Sequence, residues 1–327
     1  MTTNLKLKYE IGLREQDFDR VAMLANASNK HDGIDWAFSA ESIRALWPRM
    51  NNFDVAHDFM RVEAEDGSLV AIARTNWKTL LDGKRVYFHK VHMHPAWRRR
   101  GIGTKLLVWV ENRIAEKDTD MASPTRVIQT AGPDSNLGLV ALLKASGYEP
   151  VRYEYSMVNT DLVHAPNFEV PAGFEIRAVT RANLREIWLA GVEAFADHWG
   201  ASVETETSFD RWISDPLVKP ENFSVAYHID TNQVASQVHG YLNDSENALY
   251  NRKRGWTEDI STRRPYRRLG LARALICHSI RKFRDLGMTE TALTVDTENL
   301  TGALKVYEAC GYRVVKRDTT WSKTCRS

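Results

Sequence analysis

One short pattern occurs twice in this chain, and its repetition limits the fold more than any other feature. Ser261-Thr262-Arg263-Arg264-Pro265-Tyr266-Arg267-Arg268-Leu269-Gly270-Leu271-Ala272 places a proline and a basic loop between a strand-like end and an apolar helical run. Met93-His94-Pro95-Ala96-Trp97-Arg98-Arg99-Arg100-Gly101-Ile102-Gly103-Thr104 repeats that order. Such a loop aims backbone N–H groups and the positive end of a helix dipole at one point, which is how a phosphate or pyrophosphate is held. Gly270 allows close backbone approach, Ala272 leaves the space open, and Arg267 and Arg268 add charge that does not titrate away. One R-x-x-G-x-[GA] match describes a solvated basic turn equally well. Two copies, each after a strand-like run and each opening an amphipathic helix, indicate a duplicated unit.

The flanking segments repeat with it. A strand at 9–13 followed by a helix at 17–24 returns as 174–178 followed by 183–189. Between them, 164–173 carries Pro166, Pro171 and Gly173 and reads as a linker. In the first half, 59–64 and 69–74 flank Glu65-Asp66-Gly67-Ser68 as a hairpin, and a third strand at 85–93 enters the basic loop. A helix to about 117, a strand at 126–130 and a helix at 139–145 follow, with Gly147 as its stop. The second half gives strands at 223–228 and 234–240, a strand through 258–261, a helix at 272–286, a strand at 290–296 and a helix at 303–310 closed by Gly311. The expected class is therefore α/β (α+β mixed sheet), in two tandem domains at 1–163 and 174–327, each a mixed sheet flanked by helices.

Composition narrows the function classes. A chain of 327 residues suits two ordinary domains, and a formal net charge of +2 is no broad basic face for nucleic acid. Cys277, Cys310 and Cys325 lack metal-ligand spacing and are too few for a disulfide framework, so no metal and a reducing, cytoplasmic setting are expected. The N-terminal residues hold no apolar core of signal-peptide length, and no run reaches membrane-spanning length.

The residues resemble the GNAT N-acetyltransferase superfamily across nearly the whole chain, as two tandem units. The second half joins the loop at 267–272 to Asn299-Leu300-Thr301-Gly302-Ala303-Leu304-Lys305-Val306-Tyr307-Glu308-Ala309-Cys310-Gly311-Tyr312, which is similar to the family's N-x-x-A-x-x-x-Y-x-x-x-G-[FY]. Among tandem members the layout is most similar to that of the mycothiol synthases and their relatives. The resemblance implies an enzyme that uses acetyl-CoA as co-substrate and passes the acetyl group to the amine of a small molecule, working as a monomer or homodimer. In the first half, counting back from Gly147 and Tyr148 puts Leu143 at the tyrosine position and Ser135 and Leu139 at those of Asn299 and Ala303. Chemistry is expected only in the second unit, with 93–104 (Met93, Arg98, Arg99, Arg100, Gly101, Ile102, Gly103 and Thr104) as a second cofactor loop.

Acetyl transfer needs an uncharged amine, a polarised carbonyl and a proton for the departing thiolate, whose pKa lies near 8.5 in a free thiol. The resemblance makes Tyr307 the candidate general acid, and a core aromatic is its plainer role. Glu258 and Asp259 are candidate bases on the strand entering the loop; alternation sends them to opposite faces, and Asp259 shares parity with Ser261 and Arg263. His239 and Asp296 are weaker candidates. Ser261, Arg263, Arg267, Arg268, Leu269, Gly270, Leu271, Ala272 and Asn299 are expected against the cofactor, though Asn299 also suits a helix cap. Arg264 and the Arg252-Lys253-Arg254 triplet are candidates for the 3′-phosphate, solvated charge being the plainer role of the triplet. Cys310 reads as a small buried residue. Phe195, His198 and Trp199 are candidate acceptor contacts. A non-catalytic acetyl-CoA-binding module is the competing class.

Overall fold

The computed structural model describes residues 6–117, 125–298 and 302–325. The first half runs β1 (Leu7–Ile11), α1 (Phe18–Asp32), α2 (Ala40–Leu46), β2 (Phe59–Ala64), β3 (Leu69–Thr79), β4 (Arg85–Met93), α3 (Ile102–Lys117), β5 (Arg126–Pro133), α4 (Leu137–Ala145) and β6 (Glu149–Asn159). The second runs β7 (Phe174–Arg177), α5 (Leu184–Phe195), α6 (Glu206–Ile213), β8 (Ser224–His228), β9 (Gln233–Tyr241), α7 (Asp244–Tyr250), β10 (Arg254–Thr262), α8 (Leu271–Asp285), β11 (Glu290–Asp296), α9 (Ala303–Ala309) and β12 (Arg313–Thr324).

Two compact units form, and neither is a continuous half of the chain. The first comprises residues up to Val151 with Thr205–Pro216 and the stretch from Thr319; the second comprises Arg152–Glu204 and Leu217–Asp318. Strand order in the first is β1-β2-β3-β4-β5 followed by the end of β12, and in the second β6-β11-β10-β9-β8-β7. Each sheet thus ends on a strand supplied by the other half of the sequence. The expected elements stopped at Gly147 and Gly311; the strands that follow, β6 and β12, complete the sheets. The 163/174 boundary describes the order of the repeat, while packing reassigns its last strands and α6.

The helices form because their apolar residues recur on one stripe. In α8, Leu271, Ala274, Leu275, Cys277, Ile280 and Phe283 are all buried, at the three- and four-residue spacing of a core-facing helix. Each fully buried aliphatic side chain contributes roughly 1.5–3 kcal/mol. Leu275 and Ile280 join Ala226, Val238 and Leu293 of the sheet, with Tyr307 and Tyr312, in the core of the second unit. The first unit repeats this core with Leu106, Val110 and Ile114 of α3 against Val62, Ala71 and Tyr87, and Trp321 from the C-terminal strand completes it.

Candidate active site

A cleft of about 1190 Å³ opens in the second unit. Its cause is strand geometry. Parallel β10 and β11 pair only from Arg254–Glu290 to Trp256–Ala292, and past that register residues 258–262 and 294–296 become the cleft walls. On its other side β10 pairs antiparallel with β9, but irregularly: Glu258 faces His239, whereas Ser261 faces Gln237. An extra residue on β10 fills the interval, a β-bulge, and Asp259 takes a left-handed φ of 50°. This corrects the expectation from alternation. The bulge returns Asp259 to the face of Glu258, and both carboxylates line the cleft.

The two acids differ in surroundings. Asp259 accepts a hydrogen bond from the Tyr241 hydroxyl at 2.8 Å, and His239 Nδ1 lies 3.1 Å from the same oxygen. Desolvation in the cleft pushes Asp259 up although its side chain is 48% exposed, but the bonds from His239 and Tyr241 outweigh it and hold the carboxyl below its usual range. Among the described residues Glu258 accepts hydrogen bonds from Thr294 alone, from its hydroxyl at 3.1 Å and from its backbone. Burial, then the charge of Asp259 and that of Glu154, push its carboxyl well above the ordinary value. Tyr307 reaches the same cleft from α9 and is 7% exposed. Burial, then the charge of Glu258, pushes its phenol up, so the hydroxyl stays protonated at neutral pH. One cleft therefore holds an ionised acid, an acid poised to titrate at raised pH, and a neutral proton donor.

The basic loop closes one end. Gly270, at φ 93°, is the N-cap of α8 and no side chain caps the helix, which leaves its first N–H groups open beside Gly270, Leu271 and Ala272 on the cleft wall. A Cβ at Gly270 meets nothing closer than Arg273 Nη2 at 3.6 Å, so the backbone angle, rather than space, calls for glycine. Arg268, also left-handed at φ 64°, is exposed and makes no hydrogen bond or ion pair with another described residue. Arg267 lines the cleft yet is committed to protein: it donates to Thr262 O at 3.1 Å, Asp197 at 3.0 Å and Ala194 O at 3.1 Å. Arg264 joins Asp197 at 2.8 Å, and Arg263 joins Glu193 at 2.9 Å. These three tie the loop to the end of α5; Arg268 is left for an anion. Uncapped N–H groups, an uncommitted arginine and a cleft of this size fit acetyl-CoA. Leu269 is 50% exposed and off the cleft wall, and Asn299 lies outside the described residues. Of the triplet, Arg252 pairs with Glu246 and Arg254 with Glu290, away from this loop.

Phe195, His198 and Trp199 line the cleft as expected, with the Phe195 and His198 rings edge to face at 4.6 Å. Burial lowers the His198 imidazole, which favours its neutral form. Two further residues were not anticipated, Arg152 and Glu154 from β6; Asp296, a weaker candidate base, also lines the cleft and pairs with Arg152 at 2.8 Å. Glu154 lies directly opposite Asp296, and burial with the charges of Asp318 and Asp296 raises its carboxyl. The alternation Tyr153-Glu154-Tyr155-Ser156-Met157 could have disclosed the strand, but not which sheet it joins. Ser261 is buried, and its carbonyl accepts from Ser236 Oγ at 2.9 Å. His239 stacks on Phe223 at 4.2 Å. Cys310 is fully buried.

The first unit carries the same loop geometry. Arg99 is left-handed at φ 61° and Gly101 at φ 79°, matching Arg268 and Gly270, and α3 begins at Ile102. Arg98 repeats Arg267, with bonds to Asp32 at 2.8 Å, Ser28 Oγ at 3.2 Å and Met93 O at 3.4 Å. Arg100 stacks on Trp97 at 4.9 Å. A Cβ on Gly103 would meet Leu142 at 3.4 Å and Met93 at 3.7 Å. Ile102 is buried, and Thr104 follows on the first turn of α3.

The family model for the acetyltransferase (GNAT) family matches residues 28–148 and 185–312. The chain belongs to the GNAT acetyltransferase family. One match falls in each half of the chain, so this is a tandem GNAT protein and an acyltransferase by family. It is similar to a mycothiol acetyltransferase of Geodermatophilus obscurus, 25% identical over 80% of each chain. A mycothiol acetyltransferase of Thermobispora bispora is 26% identical over 67% of this chain and 70% of its own. Among solved structures, a GCN5-related N-acetyltransferase from Sphaerobacter thermophilus matches with a TM-score of 0.70 and 25% identity, covering 98% of this chain and 96% of that one. A tandem GNAT protein from the clavulanic acid biosynthesis pathway matches in fold with a TM-score of 0.71 at 17% identity, over 98% and 99% of the chains. Among the described residues, no group of three or more His, Cys, Asp or Glu is placed to hold a metal ion, and no helix is long and apolar enough to cross a membrane.

Proposed function

We propose that the cleft of the second unit transfers an acetyl group from acetyl-CoA to the primary amine of a small molecule by direct attack. The reading rests chiefly on Tyr307 and Glu258 sharing one cleft with an open helix N-terminus and the uncommitted Arg268. Acetyl-CoA supplies the activated acyl group. The N–H groups at the start of α8, with Arg268, hold its diphosphate. Glu258 and Glu154 on the sheet face favour entry of an ammonium, and the raised affinity of Glu258 for a proton suits it to take one from that ammonium. Asp259, held ionised by Tyr241 and His239, keeps Glu258 basic. Tyr307, whose phenol resists ionisation, returns a proton to the thiolate. The amine of a thiol precursor, as the relatives' names suggest, is one acceptor within this class.

The test is CoA release across an amine panel as a function of pH. Because the Glu258 carboxyl must lose its proton to act, kcat/KM rises with pH through its elevated pKa. Glu258→Gln should abolish that rising limb, and Tyr307→Phe should lower kcat by roughly 10²–10⁴. No turnover with any amine, or unchanged turnover in Tyr307→Phe, overturns the reading.

A further inference from the structure

The face of the first unit that corresponds to the acid-bearing face of the cleft carries the opposite charge. Counting back from the loop arginines Arg98 and Arg267, His92 takes the ladder position of Ser261, and Lys90 with its partner Arg74 takes that of Glu258 with His239. Arg74 and Lys90 are direct cross-strand partners, a like-charge arrangement that costs stability in a sheet. Helix α6 adds Arg211: Asn51 holds the helix beside β3, donating from Nδ2 to Ser208 Oγ at 3.3 Å and accepting at its carbonyl from Asn76 Nδ2 at 3.4 Å, and the Arg211 charge bears on Arg74. Among the described residues no carboxylate lies within ion-pair distance of Arg74 or Arg211. Asp58, which precedes the β2 partner of Arg74, is taken by Arg113 at 2.9 Å and by Lys117.

Two donors on this face, one on Arg74 and one on His92, also lack a partner among the described residues. Arg74 stacks over Trp47 at 5.1 Å and reaches Met50 Sδ at 3.1 Å, while its Nε is buried with no partner. His92 is 3% exposed and its Nε2 is buried without a partner. Lys90 Nζ donates to Ala131 O at 3.0 Å. Arg74 is half-buried with its Nε out of reach of solvent and no counter-charge beside it, and a bound anion would offset the cost of holding it so. We infer that Arg74, Arg211 and His92 form a site for a small oxyanion, a carboxylate or phosphate group, on the first unit. The site is distinct from the cleft and independent of the acetyl-transfer reading. The charge reversal turns a face that handles amines in one copy into one that recognises an anionic group in the other.

Calorimetric titration of the full chain with inorganic phosphate, and separately with acetate, against chloride at equal ionic strength tests this. We expect saturable binding that weakens roughly tenfold in Arg211→Gln, the loss of one charge-assisted hydrogen bond. Arg268→Gln, which alters the loop of the second unit, should leave this binding in place. Saturation by phosphate alone assigns a phosphoryl ligand, by acetate alone a carboxylate, and by both a general oxyanion; each supports the site. Arg74→Gln should act like Arg211→Gln where circular dichroism shows it folded, and Arg211→Gln decides the matter where it does not. No saturable binding, or binding lost in Arg268→Gln but unchanged in Arg211→Gln, overturns the inference.

Discussion

The two loop-bearing strands, β4 and β10, differ by one residue, and most of the contrast between the units follows from it. β4 pairs with β3 without interruption from Met93–Ala71 to Arg85–Thr79. β10 is broken by the bulge at Asp259. An unbroken ladder commits the backbone N–H groups of β4 to its neighbour, whereas a bulge interrupts that pairing beside the cleft, where the proposed reading calls for oxyanion donors. The helix that follows differs in parallel: α9 presents Tyr307, while α4 presents Leu143, which is 1% exposed in the apolar core. A shared loop therefore does not mean shared chemistry. The first unit lacks the tyrosine proposed for chemistry in the second, and in that respect the non-catalytic class raised by the sequence fits it.

The sharpest way to break this contrast is at the acid. Tyr307→Phe should lower turnover ~10²–10⁴-fold with the melting temperature nearly unchanged, because the ring still fills its place in the core. Equal losses from a substitution at Leu143 would make the units equivalent. Next comes the bulge. Deleting Asp259 should straighten β10 and lower kcat ~10²–10³-fold, the cost of one lost oxyanion donor. A folded deletion variant with full activity would show that the bulge is not catalytic.

Much of this was legible in the chain. The loops were placed by motif and spacing, because short-range patterns dictate strand-loop-helix turns; Tyr307 and the aromatic residues Phe195, His198 and Trp199 were expected from the family resemblance, and all four line the cleft. The bulge was not legible. Nothing local distinguishes Asp259 from its neighbours, and the left-handed φ is imposed by pairing with β9. Strand exchange was hidden for the same reason: Arg152 and Glu154 follow the first repeat in sequence but join the sheet of the second unit. Which of several arginines meets an anion also depends on tertiary partners. Arg267 and Arg268 are adjacent in sequence, and only the first finds Asp197.

That distinction gives a test of intermediate size. Arg268→Gln should raise the KM for acetyl-CoA roughly tenfold with little change in kcat, as expected when one charged contact to a bound phosphate is lost. Arg99→Gln, its counterpart in the first unit, should leave the KM unchanged. Equilibrium dialysis with CoA should return one molecule per chain. Two molecules, or an Arg99→Gln effect as large as that of Arg268→Gln, would show that the first unit also holds cofactor.

The smallest effect concerns stability rather than rate. Unfolded, Glu258 loses its proton near the ordinary value of 4.5; folded, it keeps the proton to higher pH because burial and Asp259 disfavour its charge. The native state therefore binds more protons than the unfolded chain over the interval above about pH 4.5, and stability falls as pH rises through it. Glu258→Gln removes that titration. Its melting temperature should match the wild type in acid and exceed it by a few degrees near neutrality, on the scale expected for a unit of this size. The same substitution should remove the rising limb of activity; on the proposed reading one carboxyl then both destabilises the fold and serves as base, a trade found where function requires a strained site. A wild-type protein that gains stability relative to Glu258→Gln between acid and neutral pH would mean Glu258 is ionised without penalty. The cleft would then lack the raised proton affinity that separates it from the cation-bearing face of the first unit.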